Sequence, residues 1–282
     1  MNHSKLSHSP VLKAVVPAAG LGSRLRPLTS AIPKEMLPLG RKFVLQYVIE
    51  ELVDSGITDI CIVVSPAKEM IKNFFGSGDA FGANIDYIVQ SEMKGLGDAI
   101  LLAEHWVAGE AFVTAFGDCI IEGTEVTPLS RLLQTFVNNS ADAAVLTQFI
   151  PLDLSTKYGI IAPHSRVGDE ESVRIVDIVE KPLSQNAPSN RAVAARWILN
   201  NKIFDSLRTA PLQKNGELNL TDAVSQLVRA GSLCWSTPLL TNERRIDIGG
   251  WRTYLTATIE YALKDNDYGR EIRSEFEGAT LE

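Results

Sequence analysis

Apolar, β-branched segments alternate with segments of helical periodicity through the first half of the chain. The predicted strands are Lys13 to Pro17, Asp59 to Val64, Ile85 to Val89, Phe112 to Phe116 and Ala143 to Phe149. The predicted helices between them are Phe43 to Ser55, Ala67 to Phe74, Gly97 to Trp106 and Pro128 to Asn138. Strands that are apolar on both faces and separated by helices are typical of sheets covered on both sides. The alternation therefore predicts an α/β fold with a doubly wound, mostly parallel, Rossmann-like sheet.

The second half of the chain has a different pattern. Strand-like segments at Gly159 to Ala162, Val173 to Val179 and Ala192 to Leu199 follow one another without long helices between them. Two helices are predicted after these strands, from Thr221 to Gly231 and from Trp251 to Leu263. The polar tail from residue 265 to 282 is expected to be loosely held. This half predicts a smaller, β-rich subdomain built onto the sheet.

Composition excludes several classes of protein. The net charge of −7 argues against non-specific nucleic-acid binding, which depends on dense basic patches. No apolar run approaches the roughly 18 residues that span a bilayer, and the polar N-terminus does not look like a secretory signal. The three cysteines form no CxxC pair, and the four histidines show no ligand spacing that indicates zinc. We expect a cytoplasmic protein with no nucleic-acid or membrane partner.

The first predicted strand ends in a glycine-containing loop, Ala18-Ala19-Gly20-Leu21-Gly22-Ser23-Arg24-Leu25. Glycines two residues apart after a strand favour a phosphate-binding loop. A dinucleotide fingerprint needs a third glycine where Leu25 stands, and a P-loop needs a Gly-Lys-Ser/Thr triplet that this loop lacks. What the loop has instead is a group of nearby cations: Arg24, Arg26 and Lys34. Backbone N–H groups freed by glycines, together with several cations, predict a polyphosphate site.

A family resemblance emerges with the residues that follow, Ala31-Ile32-Pro33-Lys34-Glu35-Met36-Leu37-Pro38. The segment resembles the signature of sugar-phosphate nucleotidyltransferases, and it looks most like that of the bacterial UTP–glucose-1-phosphate uridylyltransferases. The resemblance continues in order to about Tyr261. It implies a single nucleotidyltransferase domain over residues 11–282. Within it, residues 11–150 would form a nucleotide-binding half, 151–248 a sugar-phosphate-binding half, and 249–282 a C-terminal helix and tail.

The resemblance also implies which residues bind the nucleotide. In the family, a Gln at the position of Gln90 reads the pyrimidine, and the Gly-Leu-Gly after it lets the base approach the backbone. An amide offers a donor and an acceptor to a base edge, but it does not sense the methyl group of thymine. Gln90 therefore predicts a pyrimidine and leaves uracil and thymine open. The implied nucleotide-binding residues are Ala19, Gly20, Gly22, Arg24, Gln90 and Gly95.

Asp118 directly follows an apolar strand, at the carboxyl edge of the sheet where α/β proteins place ligands. The family analogy makes it a Mg²⁺ ligand, because Mg²⁺ prefers oxygen donors and substrate phosphates. Asp247 matches an acidic residue that can complete this metal site in related enzymes, although a structural cap is an equally good interpretation. The sequence Asp118-Cys119-Ile120 lacks the Asp-x-Asp of many glycosyltransferases, which disfavours that class.

The second half supplies the sugar side of the implied site. Lys181 is expected to hold the sugar phosphate, Glu180 to accept hydroxyl hydrogens, and Gly159 to offer a backbone contact. The implied sugar-phosphate-binding residues are Gly159, Glu180, Lys181 and Asn190. The implied catalytic residues are Arg24, Lys34, Asp118 and Lys181.

The resemblance thus implies transfer of a uridylyl group from UTP to glucose 1-phosphate with Mg²⁺. One alternative is a thymidylyltransferase that makes dTDP-glucose, or another NDP-sugar, because the segment from Phe74 to Gln90 is as short as in that group. A second alternative is a non-catalytic nucleotide-binding regulator, which the retained Lys34, Asp118 and Lys181 disfavour. Relatives are commonly homodimers or homotetramers, so we expect a homo-oligomer.

Overall fold

The computed structural model describes residues 11–123, 126–165 and 168–278. Its strands are β1 Lys13–Pro17, β2 Pro38–Leu39, β3 Lys42–Phe43, β4 Asp59–Val64, β5 Asn84–Val89, β6 Phe112–Ala115, β7 Cys119–Glu122, β8 Ala143–Phe149, β9 Gly159–Pro163, β10 Val173–Glu180, β11 Arg191–Leu199, β12 Cys234–Pro238 and β13 Arg244–Asp247. Its helices are α1 Val44–Asp54, α2 Glu69–Phe75, α3 Leu96–Leu102, α4 Glu104–Val107, α5 Pro128–Asn138, α6 Lys202–Thr209, α7 Leu220–Arg229, α8 Trp251–Leu263 and α9 Gly269–Gly278.

One nine-stranded sheet runs through both halves of the chain, in the order β5-β4-β1-β6-β11-β8-β12-β10-β9. The first four strands are parallel to one another, as are β8 and β12. Strand β11 is antiparallel to both of its neighbours, and β10 is antiparallel to both of its own. Strand β9 also pairs with β11, so the far end of the sheet curls back on itself. The predicted α/β class is confirmed, and the structure has one large central sheet.

Hydrophobic cores cover both faces of this sheet. One core gathers side chains of α1, α2 and α5, and the other gathers side chains of α3, α6 and α7. A third, smaller core joins the inner face of α8 to the segment after β1 through Leu25, Leu37, Ile248 and Tyr254. The three cysteines are free and buried. Among the described helices, none combines the length and the apolar character that crossing a membrane requires.

Most predicted elements are present with similar bounds, and β1, β4, β8, α5 and α8 begin and end where the sequence places them. The helix predicted from Gly97 to Trp106 is instead two helices that meet at Ala103. The N–H of Ala103 donates to the carbonyl of Ile100, three residues back, which is a 3₁₀-type contact that tightens the turn.

The tail from residue 265 was expected to be loosely held, but residues 269–278 form α9. Asp265 anchors its start. The carboxylate accepts hydrogen bonds from the N–H groups of Asp267 and Tyr268, both at 3.0 Å, and from Nε of Arg41 at 2.6 Å. These contacts tie the chain before α9 to the loop between β2 and β3.

The sequence analysis missed the two-stranded ladder of β7 and β13, which lies apart from the main sheet. The strands pair antiparallel, with Asp247 opposite Cys119. Each strand has only four residues, so alternation alone gives little signal. This ladder matters because it carries the chain near Asp247 to the carboxyl edge of the sheet.

Candidate active site

Two cavities lie side by side at the carboxyl ends of the parallel strands. The loop cavity has a volume of about 520 Å³ and is lined by residues 19–24 of the glycine loop, Lys34, Gln90 and the chain around Gly95. The β10 cavity has a volume of about 710 Å³ and is lined by Tyr158, Gly159, Glu180, Lys181 and the turn at residues 213–221. The residues common to both are Arg24, Leu96, Phe116, Asp118 and Glu217. The two cavities therefore meet at one wall that carries a guanidinium and two carboxylates.

The glycine loop presents unpaired backbone donors to the loop cavity. Within the described residues, the N–H groups of residues 19–22 make no hydrogen bond to the protein. Gly22 has φ 64° and ψ 28°, a left-handed conformation that glycine adopts at little cost. The hydroxyl of Thr29 donates to the carbonyl of Gly22 at 2.8 Å and fixes the turn. Free N–H groups held in such a turn could donate to an anion, which is the role that the sequence analysis expects of this loop.

Lys34 and Asp118 form an ion pair at the junction of the cavities, with Nζ 2.5 Å from Oδ2. Burial alone would lower the pKa of Lys34, but the carboxylates of Asp118 and Glu35 raise it above its ordinary value. Burial alone would raise the pKa of Asp118, but the ammonium of Lys34 lowers it below its ordinary value. Both groups are thus charged across the neutral pH range.

Lys68 contacts the glycine loop and Glu35 from the protein interior. The sequence analysis missed this residue. Its ammonium lies 2.6 Å from Oε2 of Glu35 and donates to the carbonyls of Ala18 and Gly20. Glu35, beside Lys34 in the chain, is 1 % exposed. A lysine at the start of a predicted helix is ordinarily a solvated surface residue, so the sequence carries no signal for this burial.

Gln90 is buried at the end of β5, 3 % exposed, and lines the loop cavity. Its Nε2 donates to Oδ2 of Asp98 at 2.7 Å and to the carbonyl of Gly95 at 3.1 Å. With the nitrogen so occupied, its carbonyl oxygen is the group left to accept from a ligand. Asp98 was missed because an acidic residue in the first turn of a helix is common for electrostatic reasons alone.

Gly95 joins the two cavities through a close backbone approach. Its φ is 94°, and a Cβ placed there would lie 2.7 Å from the carbonyl oxygen of Leu218. The N–H of Leu218 donates to the carbonyl of Lys94 at 2.7 Å, and the N–H of Gly97 donates to the carbonyl of Leu218 at 2.9 Å. These two hydrogen bonds hold the wall of the β10 cavity at Leu218 against the loop that follows Gln90.

Asp247 lies near Asp118 because of the β7–β13 ladder. The N–H of Ile248 donates to the backbone carbonyl of Asp118 at 3.3 Å. The carboxylate of Asp247 accepts from the N–H of Gly249 at 2.7 Å and from Arg245 at 2.5 Å. It therefore caps the turn before α8 and also lines the β10 cavity, so both interpretations of Asp247 suit its position.

Strands β9 and β10 bring the predicted sugar-side residues together. Glu180 stands directly opposite Gly159 in the ladder. Lys181, with φ 45°, is held by a hydrogen bond from its N–H to the carbonyl of Tyr158, and its ammonium is 3.1 Å from Oε1 of Glu180. The guanidinium of Arg245 lies over the ring of Tyr158, 4.6 Å from the centroid. Arg245 was not identified from the sequence.

Asn190 is the one predicted site residue that lies away from both cavities. It is exposed just before β11, and its carbonyl accepts from the N–H of Ile150 at 3.0 Å. Instead, Lys157 and Lys214 line the β10 cavity. A lysine outside the recognised motifs is ordinarily a solvated surface residue, so the sequence analysis did not select these two.

The carboxylates of Asp118 and Asp247 suit a divalent cation that takes its other ligands from substrate phosphates and water. The described residues contain no cluster of three or more acidic, histidine or cysteine side chains that could hold a metal alone. Asp118 lies where the cavities meet, and Asp247 lines the β10 cavity. Magnesium is commonly bound by one or two carboxylates, substrate phosphates and waters, so this donor set is compatible with it.

The chain is similar to known proteins over most of its length. A family model described as nucleotidyl transferase matches residues 13–264. A UTP–glucose-1-phosphate uridylyltransferase of Staphylococcus epidermidis is 34 % identical over 285 residues, covering 94 % of this chain and 96 % of the relative. One of Mycoplasma pneumoniae is 36 % identical over 276 residues, covering 90 % and 93 %. A solved structure of UTP-bound UGPase from Acinetobacter baumannii has a TM-score of 0.83 at 27 % identity, covering 96 % of this chain and all of that one, 100 %.

Proposed function

The chain belongs to the nucleotidyl transferase family, and on that premise we propose that it transfers the uridylyl group of UTP to glucose 1-phosphate. The products are UDP-glucose and pyrophosphate. The curated relatives that match almost the whole chain carry the corresponding name. The observation that carries the proposal is the pair of cavities, one with an anion cradle and one with a lysine, that meet at Asp118.

The nucleotide would occupy the loop cavity. Its triphosphate would accept hydrogen bonds from the free N–H groups of residues 19–22, and Arg24 and Lys34 would supply positive charge. The carbonyl oxygen of Gln90 would accept the N3–H of the pyrimidine ring. Glucose 1-phosphate would occupy the β10 cavity, with its phosphate on Lys181 and its hydroxyls on Glu180.

The reaction needs one bond to form and one to break. An oxygen of the sugar phosphate forms a bond to the α-phosphorus, and the bond from that phosphorus to the bridging oxygen of the leaving pyrophosphate breaks. The attacking phosphate is ionised near neutral pH, so no general base is required. Positioning and charge stabilisation therefore carry the catalysis.

Repulsion between the two polyanions is the obstacle that the site has to offset. Two unit charges about 4 Å apart interact by roughly 4 kcal/mol at an effective dielectric constant of 20. Lys34 and Arg24 on one side and Lys181 on the other would neutralise part of this charge before the phosphates meet. Lys34 is at present paired with Asp118, so a bound triphosphate would compete with that carboxylate for the ammonium.

Mg²⁺ is the metal that we propose for this site, within a family that generally depends on divalent cations. Asp118 and Asp247 would hold it, and it would supply positive charge to the phosphate oxygens. Asp118 is ionised at neutral pH because Lys34 lowers its pKa, so the ligand needs no deprotonation.

A matrix of activity assays tests the proposal. Five nucleotides (UTP, dTTP, CTP, ATP and GTP) are combined with several hexose 1-phosphates and Mg²⁺, and pyrophosphate release is measured. We expect UTP with glucose 1-phosphate to give the highest kcat/KM. A higher value with dTTP would establish the thymidylyltransferase alternative. Tight UTP binding without turnover for any sugar would establish a regulator instead.

We also propose that the protein is a homodimer or homotetramer. Trp251, Leu255 and Ile259 follow one another at four-residue intervals along the outer face of α8 and are 40 %, 51 % and 49 % exposed. An exposed apolar stripe of this kind suits a contact with a second copy. Light scattering after gel filtration measures the mass, and a monomeric mass would contradict the expectation.

A further inference from the structure

Lys68 lies just before α2, and the substrate roles described above do not include it. Its Nζ donates to the carbonyl oxygen of Ala18 at 2.6 Å, to that of Gly20 at 2.7 Å and to Oε2 of Glu35 at 2.6 Å. An ammonium group has three N–H donors, so these acceptors satisfy it completely. The side chain is 8 % exposed. Lys68 is therefore a fixed internal cation rather than a mobile one that could follow a substrate.

The buried pair of Lys68 and Glu35 is costly to keep for stability alone. Removing two charges from water often costs more than their mutual attraction returns. Burial lowers the pKa of Lys68 despite Glu35, and burial raises the pKa of Glu35 despite Lys68 and Lys34. The placement of the pair, directly beneath the glycine loop, points to a role in the geometry of that loop.

Peptide geometry links the two captured carbonyls to the two N–H groups on the other side of the loop. In a trans peptide unit the C=O and the N–H point in opposite directions. The carbonyl of Ala18 shares its unit with the N–H of Ala19, and the carbonyl of Gly20 shares its unit with the N–H of Leu21. When Lys68 holds both carbonyls, both N–H groups must point away from it. Ala19 and Leu21 line the loop cavity, and their N–H groups have no acceptor among the described residues.

We propose that Lys68 is a positioning residue that turns the peptide units of the glycine loop, so that the N–H groups of Ala19 and Leu21 face the nucleotide triphosphate. Glu35 accepts the third N–H of the ammonium and so fixes the orientation of the group. The inference rests on the proposed function for the identity of the triphosphate. It adds a residue that never touches the substrate and acts only through two backbone carbonyls.

Two variants and one control test the role of Lys68. Lys68→Met removes the donor but leaves Glu35 buried without its partner, and Lys68→Met/Glu35→Gln removes both charges. Lys72→Met is the matched control, because Lys72 lies one turn further along α2, with Nζ 5.9 Å from the ring centroid of Tyr87 and away from the cavity. The readouts are the melting temperature, the dissociation constant of UTP or dTTP by calorimetry, and KM for each substrate.

We expect Lys68→Met to lower the melting temperature and to weaken triphosphate binding about tenfold or more, a loss on the scale of 1.4 kcal/mol. The double variant should recover most of the melting temperature but keep the weakened binding. In both, KM for glucose 1-phosphate should stay within about twofold of wild type. A double variant that binds the triphosphate like wild type, or equal increases in both KM values, would overturn the proposal. A wild-type protein that binds a pyrimidine triphosphate without turnover contradicts only the proposed function, since the binding comparison still decides the role of Lys68.

Discussion

Lys34 is the side chain on which the charge argument depends most. It is bonded to Asp118 and lies beside the free N–H groups of the glycine loop. We expect Lys34→Met to lower kcat by about 100- to 1000-fold. This is the usual loss when a preorganised hydrogen-bond donor that stabilises charge in the transition state is removed. The rate of pyrophosphate release at saturating UTP and glucose 1-phosphate measures this kcat.

Lys42 provides the control for Lys34. Its ammonium pairs with Glu50 at 2.5 Å, and its side chain is 41 % exposed and lies outside both cavities. Lys42→Met should therefore leave kcat unchanged, since exposed ion pairs contribute little. Turnover near the wild-type value in Lys34→Met would remove the residue from the mechanism.

Residues differ in how far the sequence can assign them. Lys34, Asp118 and Lys181 could be selected because each stands in a recognisable local context, beside a proline or after a strand. Lys68 could not be selected, because two of its acceptors are backbone carbonyls that lie 50 and 48 residues away in the sequence. Asp247 was ambiguous, and the structure explains why, since one carboxylate both caps a turn and faces a cavity.

Asp142 connects three elements near the start of β8, far from the cavities. Its carboxylate accepts from Nδ2 of Asn200 at 2.7 Å, from Nζ of Lys202 at 2.8 Å and from the N–H of Leu233 at 2.9 Å. The side chain is 16 % exposed. Burial alone would raise its pKa, but Lys202 and the hydrogen bonds lower it below the ordinary value.

Asp142→Asn should therefore lower the free energy of unfolding by about 1–3 kcal/mol at pH 7. The folded-state pKa is depressed, so the contribution is fully present above the unfolded-state pKa of 3.8. It is lost as the pH falls through the folded-state value. Urea unfolding at pH 7, 5 and 3 should show a difference between the two proteins that shrinks only at pH 3.

Asp153→Asn serves as the control for this pH dependence. Asp153 is exposed and makes no side-chain hydrogen bond within the described residues. Its unfolding free energy should match that of wild type at all three pH values. A difference for Asp142→Asn of the same size at pH 7 and pH 3 would contradict the assignment of the effect to the carboxylate charge.

Elements with a long, strongly patterned sequence could be predicted, and short ones could not. β1, β4 and β8 each contain a continuous apolar run, as expected of strands buried on both faces. β7 and β13 have four residues each and are stabilised by pairing with each other across more than a hundred residues, Cys119 with Asp247. Local propensity carries no information about a partner that distant. The local sequence pattern therefore does not place Asp247 near Asp118, and before the fold was known only the family resemblance pointed there.

The arrangement of the whole molecule would separate the two proposed substrates and bring them together at a single wall. The loop cavity is built on the parallel strands of the first half, and the β10 cavity on the mixed strands of the second half. One continuous sheet holds both, so their relative position does not depend on a flexible linker. This organisation predicts that substitutions at the far ends of the two cavities affect one substrate each, whereas substitutions at the wall affect the chemical step.

Three variants test this separation in one set of initial-rate measurements over both substrates. Gln90→Leu, which loses the acceptor for the base, should raise KM for UTP about tenfold and leave KM for glucose 1-phosphate within about twofold. Lys181→Ala should raise KM for glucose 1-phosphate by about ten- to hundredfold, because a charge-assisted hydrogen bond is lost. It should leave KM for UTP within about twofold. Arg24→Ala, at the wall, should mainly lower kcat. If Gln90→Leu and Lys181→Ala each raised both KM values equally, the cavities would not be separate sites, and the assignment of one substrate to each would be wrong.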